Sequence, residues 1–366
     1  MKVKDICSLQ NGRAFKPDDW GAEGLPIIRI QNLNDEEAPF NYYAGEYNPV
    51  HEVNDGELLF SWSGTPGTSF GAFRWYRGKG VLNQHIFRVI PKTNIDKEYL
   101  KYALNGNITT IISKAHGGVG LQHITKKELD EIEITVVSEQ KQKDIVAVLH
   151  RVEKVITLRK KELKELDDLI KARFVEMFGN DDYPSIPLIE TIIPGAGLSY
   201  GIVVPGDNVD DGIPMVRPSD FKNGTLDLSN VYRVGKEIES KYSRTRLVGD
   251  EILVQVIGQP GQVMLATSEC KGMNVTRNLA VIRPNLEKIN RTYLKYFIEK
   301  EDSQHFLLKN TKQSTLKQLP LNLLKQLEVQ LPPMVMQNRF ADFVKQVDKS
   351  KFALNVIRQL NAYNYI

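Results

Sequence analysis

Polar side chains that can recognise the edges of nucleic-acid bases follow several short apolar runs of this sequence. A bidentate contact to guanine needs Arg or Lys, and one to adenine needs Asn or Gln. In the first half of the chain the candidates are Arg29, Gln31, Asn32, Ser61, Trp62, Ser63, Thr65, Asn83, Gln84 and His85. In the second half they are Arg217, Ser219, Asp220, Gln255, Gln259, Arg277 and Asn278. For any single residue a solvated loop position is the simpler interpretation, so base contact is a hypothesis about the clusters.

Other cations are candidates for phosphate contacts, which give affinity without sequence information. Arg74, Arg77 and Lys79 alternate with aromatic residues, an arrangement that suits the sugar-phosphate backbone. Lys312 and Gln313, together with residues 117–122, precede the two predicted long helices and are further candidates for an approach to DNA.

Catalytic motifs are missing from the sequence. There is no Asp/Asn-Pro-Pro-Tyr/Phe tetrad for holding a flipped adenine, and Gly195-Ala196-Gly197 does not lead into an apolar helix as a nucleotide-binding turn would. Gly78-Lys79-Gly80 lacks the Ser or Thr of a phosphate-binding loop, and the six histidines show no metal-ligand spacing. We therefore predict no catalytic residue, no metal site and no cofactor bound by this chain.

An internal repeat organises the chain. Three pairs of segments recur in the same order at a separation of roughly 190 residues. They are GLPIIRI at 24–30 with GIPMVRP at 212–218, NDGELLFSWSGTPG at 54–67 with VGDEILVQVIGQPG at 248–261, and YLKYAL at 99–104 with YLKYFI at 293–298. A period this long predicts two domains, each with its own core.

The elements that position the candidate residues can be predicted within each copy. Short apolar runs at 57–60, 86–90, 251–256 and 279–282 predict strands, and Asn-Gly pairs at 11–12 and 223–224 predict turns. The YLKY segments predict helices over 97–104 and 291–299. Most candidate side chains then lie in loops next to equivalent strands.

Each copy ends in a predicted long helix. Residues 139–178 contain no Gly or Pro, and their apolar residues follow alternating steps of three and four. That seam comprises Ile145, Leu149, Val152, Ile156, Leu163, Leu166, Ile170 and Met177. After Pro332-Pro333 a less regular stripe comprises Phe340, Val344, Val347, Leu354 and Ile357. A helix of 40 residues would be ~60 Å long, which is longer than one domain of this size can cover. We therefore expect it to leave its domain and pair antiparallel with the second helix, with the domains as inverted copies at opposite ends.

Composition sets few further limits. The 366 residues carry a formal charge of +3, which is too small to establish nucleic-acid binding by itself. The two cysteines, Cys7 and Cys270, form no CxxC pair, and no apolar run approaches the ~18 residues of a membrane span. These features predict a cytoplasmic location.

The sequence resembles the specificity subunits of type I DNA restriction-modification systems over essentially its whole length. The resemblance is carried by the opening Val3-Lys4-Asp5-Ile6 through Gly12-Arg13-Ala14-Phe15-Lys16. It is also carried by the segment Val329 to Met334 with its two prolines, followed by Gln337 and Phe340. The first copy keeps Glu139-Gln140 at the equivalent point but lacks the prolines.

The resemblance implies an α+β protein with two homologous α/β target-recognition domains separated by two long antiparallel coiled-coil helices. The expected segments are 1–138 and 180–331 for the domains, with 139–179 and 332–366 for the helices. It also implies a chain that recognises a bipartite site in double-stranded DNA while other subunits do the chemistry. The implied partners are two methyltransferase subunits, which bind S-adenosylmethionine and methylate adenine, and restriction subunits that use ATP and Mg²⁺.

A second function stays open at this point. A tandem-domain scaffold could hold two protein partners through its coiled coil and never touch DNA. The Arg, Asn and Gln clusters at equivalent positions of both copies favour DNA over this alternative.

Overall fold

The computed structural model describes residues 1–64, 69–118, 121–179, 182–222, 225–309 and 317–363. The chain forms two compact units, Met1–Ile156 and Thr157–Ile366, called unit 1 and unit 2 below. The predicted mixture of helices and sheets is confirmed in both.

Unit 1 contains short strands and helices in alternation. Its strands are β1 (Cys7–Asn11), β2 (Leu25–Ile28), β3 (Asn41–Tyr43), β4 (Glu52–Val53), β5 (Glu57–Ser61), β6 (Ser63–Gly64), β7 (Gly71–Trp75), β8 (Gly80–Leu82), β9 (Ile86–Pro91), β10 (His116–Gly118) and β11 (Leu121–His123). Its helices are α1 (Val3–Ile6), α2 (Ile30–Asn34), α3 (Lys97–Gly106), α4 (Ile108–Ser113) and α5 (Lys126–Asp130). The long helix α6 (Glu139–Phe178) begins in unit 1 and ends in unit 2.

Unit 2 has a similar series of elements. Its strands are β12 (Ser185–Pro187), β13 (Ser199–Tyr200), β14 (Ile213–Val216), β15 (Phe221–Lys222), β16 (Thr225–Leu226), β17 (Tyr232–Val234), β18 (Ile252–Gln255), β19 (Val263–Leu265), β20 (Asn274–Val275), β21 (Leu279–Ile282) and β22 (Glu328–Gln330). Its helices are α7 (Lys236–Ser240), α8 (Arg291–Glu299), α9 (Glu301–Lys309), α10 (Leu321–Lys325) and α11 (Met334–Tyr363).

The sheets confirm that one topology occurs twice. The main sheet of unit 1 has the order β1-β9-β5-β7, and that of unit 2 has the order β13-β21-β18-β19. A second sheet contains β3-β2-β8-β4 in unit 1 and β17-β14-β20 in unit 2. The GLPIIRI and GIPMVRP segments supply β2 and β14, each of which pairs parallel to one neighbour and antiparallel to the other. The two copies in the sequence therefore share both their strand order and their pattern of strand pairing.

The YLKY helices pack on these sheets in the same way. The first tyrosine of each motif is buried, and its hydroxyl donates to a backbone carbonyl just before the long helix. Tyr99 donates to Thr135 at 2.7 Å and Tyr293 to Gln330 at 3.0 Å. Each motif thus anchors the segment from which α6 or α11 departs.

Both predicted long helices are present in the structure. Helix α6 has the predicted bounds, and α11 begins after Pro333, whose carbonyl accepts from Met336 and Gln337. In unit 2 the end of α6 packs antiparallel to α11, since Lys351 pairs with Asp167 at 2.6 Å while Phe340 lies against Phe174 and Phe178.

Burial along the second seam agrees with the pattern, whereas in the first seam Ile170 is buried and the other predicted positions are half-buried or exposed. Phe340, Val344, Val347 and Leu354 are buried, whereas Ile156 of the first seam is 41% exposed. Ile357 lies outside the residues whose side chains are described. Residues 174 and 178, which the three-four pattern omitted, supply buried aromatic rings to the core of unit 2.

The predicted turn at Asn11–Gly12 is wrong, because the chain stays extended and Arg13 bridges to Asn83. A Cβ on Gly12 would lie 2.1 Å from the Asn83 carbonyl oxygen, so glycine is needed here for a close approach between two backbones. Gly201 makes the same approach in unit 2, with 2.0 Å to the Val275 oxygen. Residues 223–224 lie outside the described part of the chain.

Candidate nucleic-acid interface

Four of the candidate residues of unit 1 line one open cleft of about 240 Å³. They are Arg29, Gln31, Asn83 and His85, and Ile30 and Ile86 complete the wall. Two elements place them there: the junction of β2 with α2 and the loop between β8 and β9. The parallel pairing of β2 with β8 brings these junctions together, because parallel strands end at the same edge of a sheet.

Arg29 is positioned by its neighbours. Its backbone N–H donates to Oδ1 of Asn32 at 3.1 Å, and its guanidinium donates to Oδ1 of Asn41 at 2.9 Å. The guanidinium also stacks over the ring of Trp20 at 4.9 Å from the centroid. These contacts leave donors of the guanidinium available at the cleft.

The two amides beside Arg29 differ in exposure. Asn32 is buried and donates to the carbonyls of Ala38 and Pro39, which makes it part of the scaffold. Gln31 is exposed and donates to Pro39 at 3.3 Å. Of the pair, Gln31 has the accessibility that a base contact requires.

The loop between β8 and β9 is fixed by its backbone. The Asn83 N–H donates to Ile28 and the Ile86 N–H donates to Asn83, while the Asn83 side chain accepts from the Gln84 N–H at 2.8 Å. The Gln84 amide lies 3.2 Å from Nε2 of His85. Polar side chains are thus presented on a rigid frame.

His85 is the most perturbed group of the cleft. Burial lowers the pKa of its imidazole, so the ring is neutral at physiological pH. Its Nδ1 is buried and has no hydrogen-bond partner among the described residues. The ring packs edge-on against Trp62, whose indole N–H donates to Oδ1 of Asn11 at 3.2 Å.

The serines and threonine near Trp62 have varied positions. Ser61 and Ser63 are buried in strands β5 and β6 rather than in a loop, and Oγ of Ser61 has no partner in the part of the chain described. Thr65 lies outside the described residues. Whether any of them contacts DNA stays a prediction.

The three predicted phosphate contacts have partners within unit 1. Arg74 forms an ion pair with Glu98 at 2.9 Å. Arg77 donates to the carbonyls of Asn32, Asp35 and Ala38 and stacks 4.2 Å over the Phe40 ring. Lys79 pairs with Glu52 at 2.9 Å but keeps 49% of its side chain exposed. The geometry favours Lys79 as a phosphate contact and gives Arg77 a structural role.

The segments before the long helices are described in part. Residues His116–Gly118 and Leu121–His123 form a hairpin, in which His116 pairs with Glu128 and the two histidine rings lie 6.4 Å apart. Oε1 of Gln122 is buried there without a partner among the described residues. Lys312 and Gln313 fall outside the described ranges.

Unit 2 places its first cluster at the position equivalent to Arg29. The Arg217 N–H donates to Asp220 at 2.8 Å, as that of Arg29 does to Asn32. The Nε and one Nη of Arg217 also donate to the carboxylate of Asp220, and this ion pair raises the pKa of the guanidinium. Ser219 is exposed between them. Much of the Arg217 donor fork is therefore occupied within the protein.

The remaining candidates of unit 2 differ in exposure. Gln255 is buried in β18 and donates to Ile257 at 2.9 Å, while Gln259 is exposed and accepts from Gln262. Arg277 is exposed and Asn278 is half-buried in the connection from β20 to β21. Arg277 and Asn278 are thus the accessible pair next to the second sheet.

Backbone hydrogen bonds establish which positions of the two units correspond. Asn83 donates to Ile28 as Thr276 does to Val216, and Ile86 donates to Asn83 as Leu279 does to Thr276. Gln84 therefore corresponds to Arg277, and His85 to Asn278. Sequence reasoning missed Thr276, Asn41 and Trp20; extending the repeat by one residue past β20 would have found Thr276.

Among the described residues, no three His, Cys, Asp or Glu side chains come together as metal ligands would. No helix in the described ranges combines the length and the apolar character needed to cross a membrane.

Comparison with known proteins agrees with this duplicated architecture. The family of the type I restriction modification DNA specificity domain matches residues 1–168 and 206–362. The specificity subunit of the type I restriction enzyme EcoBI from Escherichia coli is 23% identical over 392 residues, covering 99% of this chain and 81% of that protein.

Solved structures show a likeness in fold. A chain from a structure of type I restriction-modification complex assembly and conformational transition has a TM-score of 0.50 at 16% identity, covering 100% of this chain and 93% of that one. The S subunit of a type I system from M. genitalium has a TM-score of 0.49 at 15% identity, covering 98% and 93%. Because the family matches both units over most of their length, the chain belongs to the type I restriction-modification DNA specificity family.

Proposed function

We propose that this chain is the sequence-specific DNA-binding subunit of a type I restriction-modification complex. Each unit binds one half of a bipartite site in double-stranded DNA. The chain thereby directs adenine methylation and DNA cleavage, which partner subunits carry out.

The observation that carries the proposal is a constant frame with variable polar positions. The two units share strand order and the backbone hydrogen bonds around the β8–β9 and β20–β21 loops. At matched positions of that frame, unit 1 has Gln84 and His85 where unit 2 has Arg277 and Asn278. Two readers that recognise different half-sites need the same fold with different base-contacting side chains.

The chemistry belongs to the partners in this proposal. Two methyltransferase subunits supply S-adenosylmethionine, and restriction subunits supply ATP-driven cleavage with Mg²⁺. Large apolar side chains remain exposed on the long helices, including Val155 and Leu158 of α6 and Phe352 of α11, which are 45%, 54% and 70% exposed. We expect partner subunits to cover such side chains, because exposed apolar surface marks interaction sites.

A domain exchange tests the proposal. Residues 1–138 would be replaced by the same region of another specificity subunit, and the methylated motif would be mapped by sequencing DNA from cells that also contain the methyltransferase. We expect one half of the motif to change and the other to stay intact. Changes in both halves of the motif would contradict the proposal. So would cells with the native chain that show the same methylation as cells without it.

The scaffold alternative is separated by a binding experiment. Phosphate contacts make the affinity for random duplex DNA fall steeply with salt. We expect a gel shift with the purified full chain that weakens as the salt concentration rises. No shift at low salt would favour a scaffold that binds only proteins.

A further inference from the structure

We propose that Arg277 is the residue through which unit 2 recognises a guanine of its half-site. The inference rests on the proposed function and deepens it, because it assigns one base and one side chain to the loop between β20 and β21.

The guanidinium of Arg277 is available for a contact with DNA. Residues 182–309 contain seven arginines, and five of them are engaged by acidic groups or backbone carbonyls. The engaged ones are Arg217 with Asp220, Arg233 with Gly212, Arg246 with Glu239, Arg283 with Glu251, and Arg291 with Gly249 and Asp250. Of these seven arginines, all of them in the described part of the chain, Arg244 and Arg277 are the two whose side chains make no hydrogen bond or ion pair.

Hydrogen bonds hold the backbone that carries this guanidinium. The Thr276 N–H donates to Val216 at 3.0 Å, and the Arg277 N–H donates to Ile202 at 2.9 Å. The strand before Thr276 is held by the buried residue Asn274. Its side-chain Oδ1 accepts from the Val275 N–H at 2.8 Å and from the Thr245 hydroxyl. A free side chain on a fixed backbone can make a bidentate contact with little ordering of the loop on binding.

The position of unit 1 that matches Arg277 lies next to the cleft. Residues 83 and 85 line the cleft of that unit, and Gln84 lies between them. The equivalent residue in unit 2 is Arg277, between Thr276 and Asn278. The side chain of residue 277 therefore starts from a loop whose counterpart borders the candidate DNA surface.

The exchange of Gln for Arg distinguishes base recognition from phosphate binding. A phosphate contact has the same chemistry in every half-site, so both repeats would be served by a cation. Gln and Arg instead are the side chains that form bidentate pairs with adenine and with guanine, respectively. The difference between the two repeats at one structural position is the difference expected of two base readers.

The test uses the full-length chain produced together with its methyltransferase subunits. Arg277→Gln is compared with Arg244→Gln, a matched control that removes the other unpaired arginine of the same range. Methylated sites are mapped by sequencing, and the affinity of the purified chain is measured for the mapped site and for random duplex.

We expect Arg277→Gln to relax or replace one guanine in the second half-site and to leave the first half-site intact. Its affinity for the mapped site should fall between about 5-fold and about 150-fold, the range of one bidentate contact. Its affinity for random duplex and its melting temperature should change little, since the side chain makes no contact that the fold needs. Arg244→Gln should keep the native motif.

Three results would overturn the assignment. They are a native second half-site that contains no guanine on either strand, an unchanged motif in Arg277→Gln, and equal losses of affinity for mapped and random DNA. The reciprocal variant Gln84→Arg should bring a guanine preference into the first half-site, and an unchanged first half would contradict the equivalence of the two positions. If the native chain directs no bipartite methylation at all, the proposed function fails instead.

Discussion

Gln337 fixes the start of α11 to the start of α8, and its removal should destabilise unit 2. The side chain is 1% exposed. Its Oε1 accepts from the Asn290 N–H at 2.8 Å, and its Nε2 donates to the Pro332 carbonyl at 2.8 Å. Asn290 in turn caps α8 through the N–H groups of Thr292 and Tyr293.

The magnitude follows from the groups left behind in Gln337→Ala. Leaving a buried backbone donor or acceptor without a partner costs ~1–3 kcal/mol. The Pro332 carbonyl bond is buried, and the Asn290 bond is partly buried. We therefore expect a loss of ~3 kcal/mol in the free energy of unfolding, from one full cost and one partial cost. For a unit of this size each kcal/mol lowers Tm by ~2–4 °C, so the midpoint should fall by ~6–12 °C.

Thermal unfolding and hydrogen exchange of the full chain would measure this effect. The amide of Asn290 should lose protection in Gln337→Ala, while peptides from unit 1 should exchange as in the native protein. Gln346→Ala is the matched control, because Gln346 is an exposed residue of the same helix and should change stability by less than ~0.5 kcal/mol. A fall in Tm no larger for Gln337→Ala than for Gln346→Ala would refute the reasoning.

Three further predictions concern other parts of the chain. Arg77→Ala should cost ~2–4 kcal/mol of stability through its lost bonds to backbone carbonyls, with little change in the salt dependence of DNA binding; a weaker salt dependence at native stability would instead make Arg77 a phosphate contact. Because burial lowers the pKa of His85 below 6.5, the unfolded chain takes up a proton first as pH falls, so unit 1 should lose stability below about pH 6.5. Denaturation across pH should show a flatter profile for His85→Asn, and identical profiles would exclude His85 as the cause. Adding one heptad after Leu163 and one after Leu354 lengthens each helix by ~10 Å and keeps its seam in phase. Methylome sequencing should then show either a spacer longer by about three base pairs or no methylation, whereas full methylation at the original spacing would argue against the helices as a ruler.

The repeat and the long helix were determined by the sequence itself. Segments in constant order predicted two similar cores, and a run of 40 residues without Gly or Pro predicted the bounds of α6. The three-four seam contains the buried Ile170 but omits the buried Phe174 and Phe178. Periodicity succeeds in α11, where Phe340, Val344 and Val347 are buried, because burial on one face of a helix depends on local spacing. The same local signal placed the strands and the YLKY helices of both copies.

The availability of each polar side chain was decided by the tertiary structure. Arg29 and Arg217 look alike in sequence, yet the guanidinium of Arg29 donates to Asn41 on β3 while that of Arg217 is paired with Asp220. Arg277 carries no sign in the sequence that it would be unpaired, since its freedom depends on which groups other elements bring near it. A hydrogen-bond partner is set by distance in space, and a residue 12 positions away or 30 positions away can supply it equally well. For that reason the sequence predicted a set of candidate DNA-binding residues, and only the folded chain showed which of their side chains already have partners within the protein.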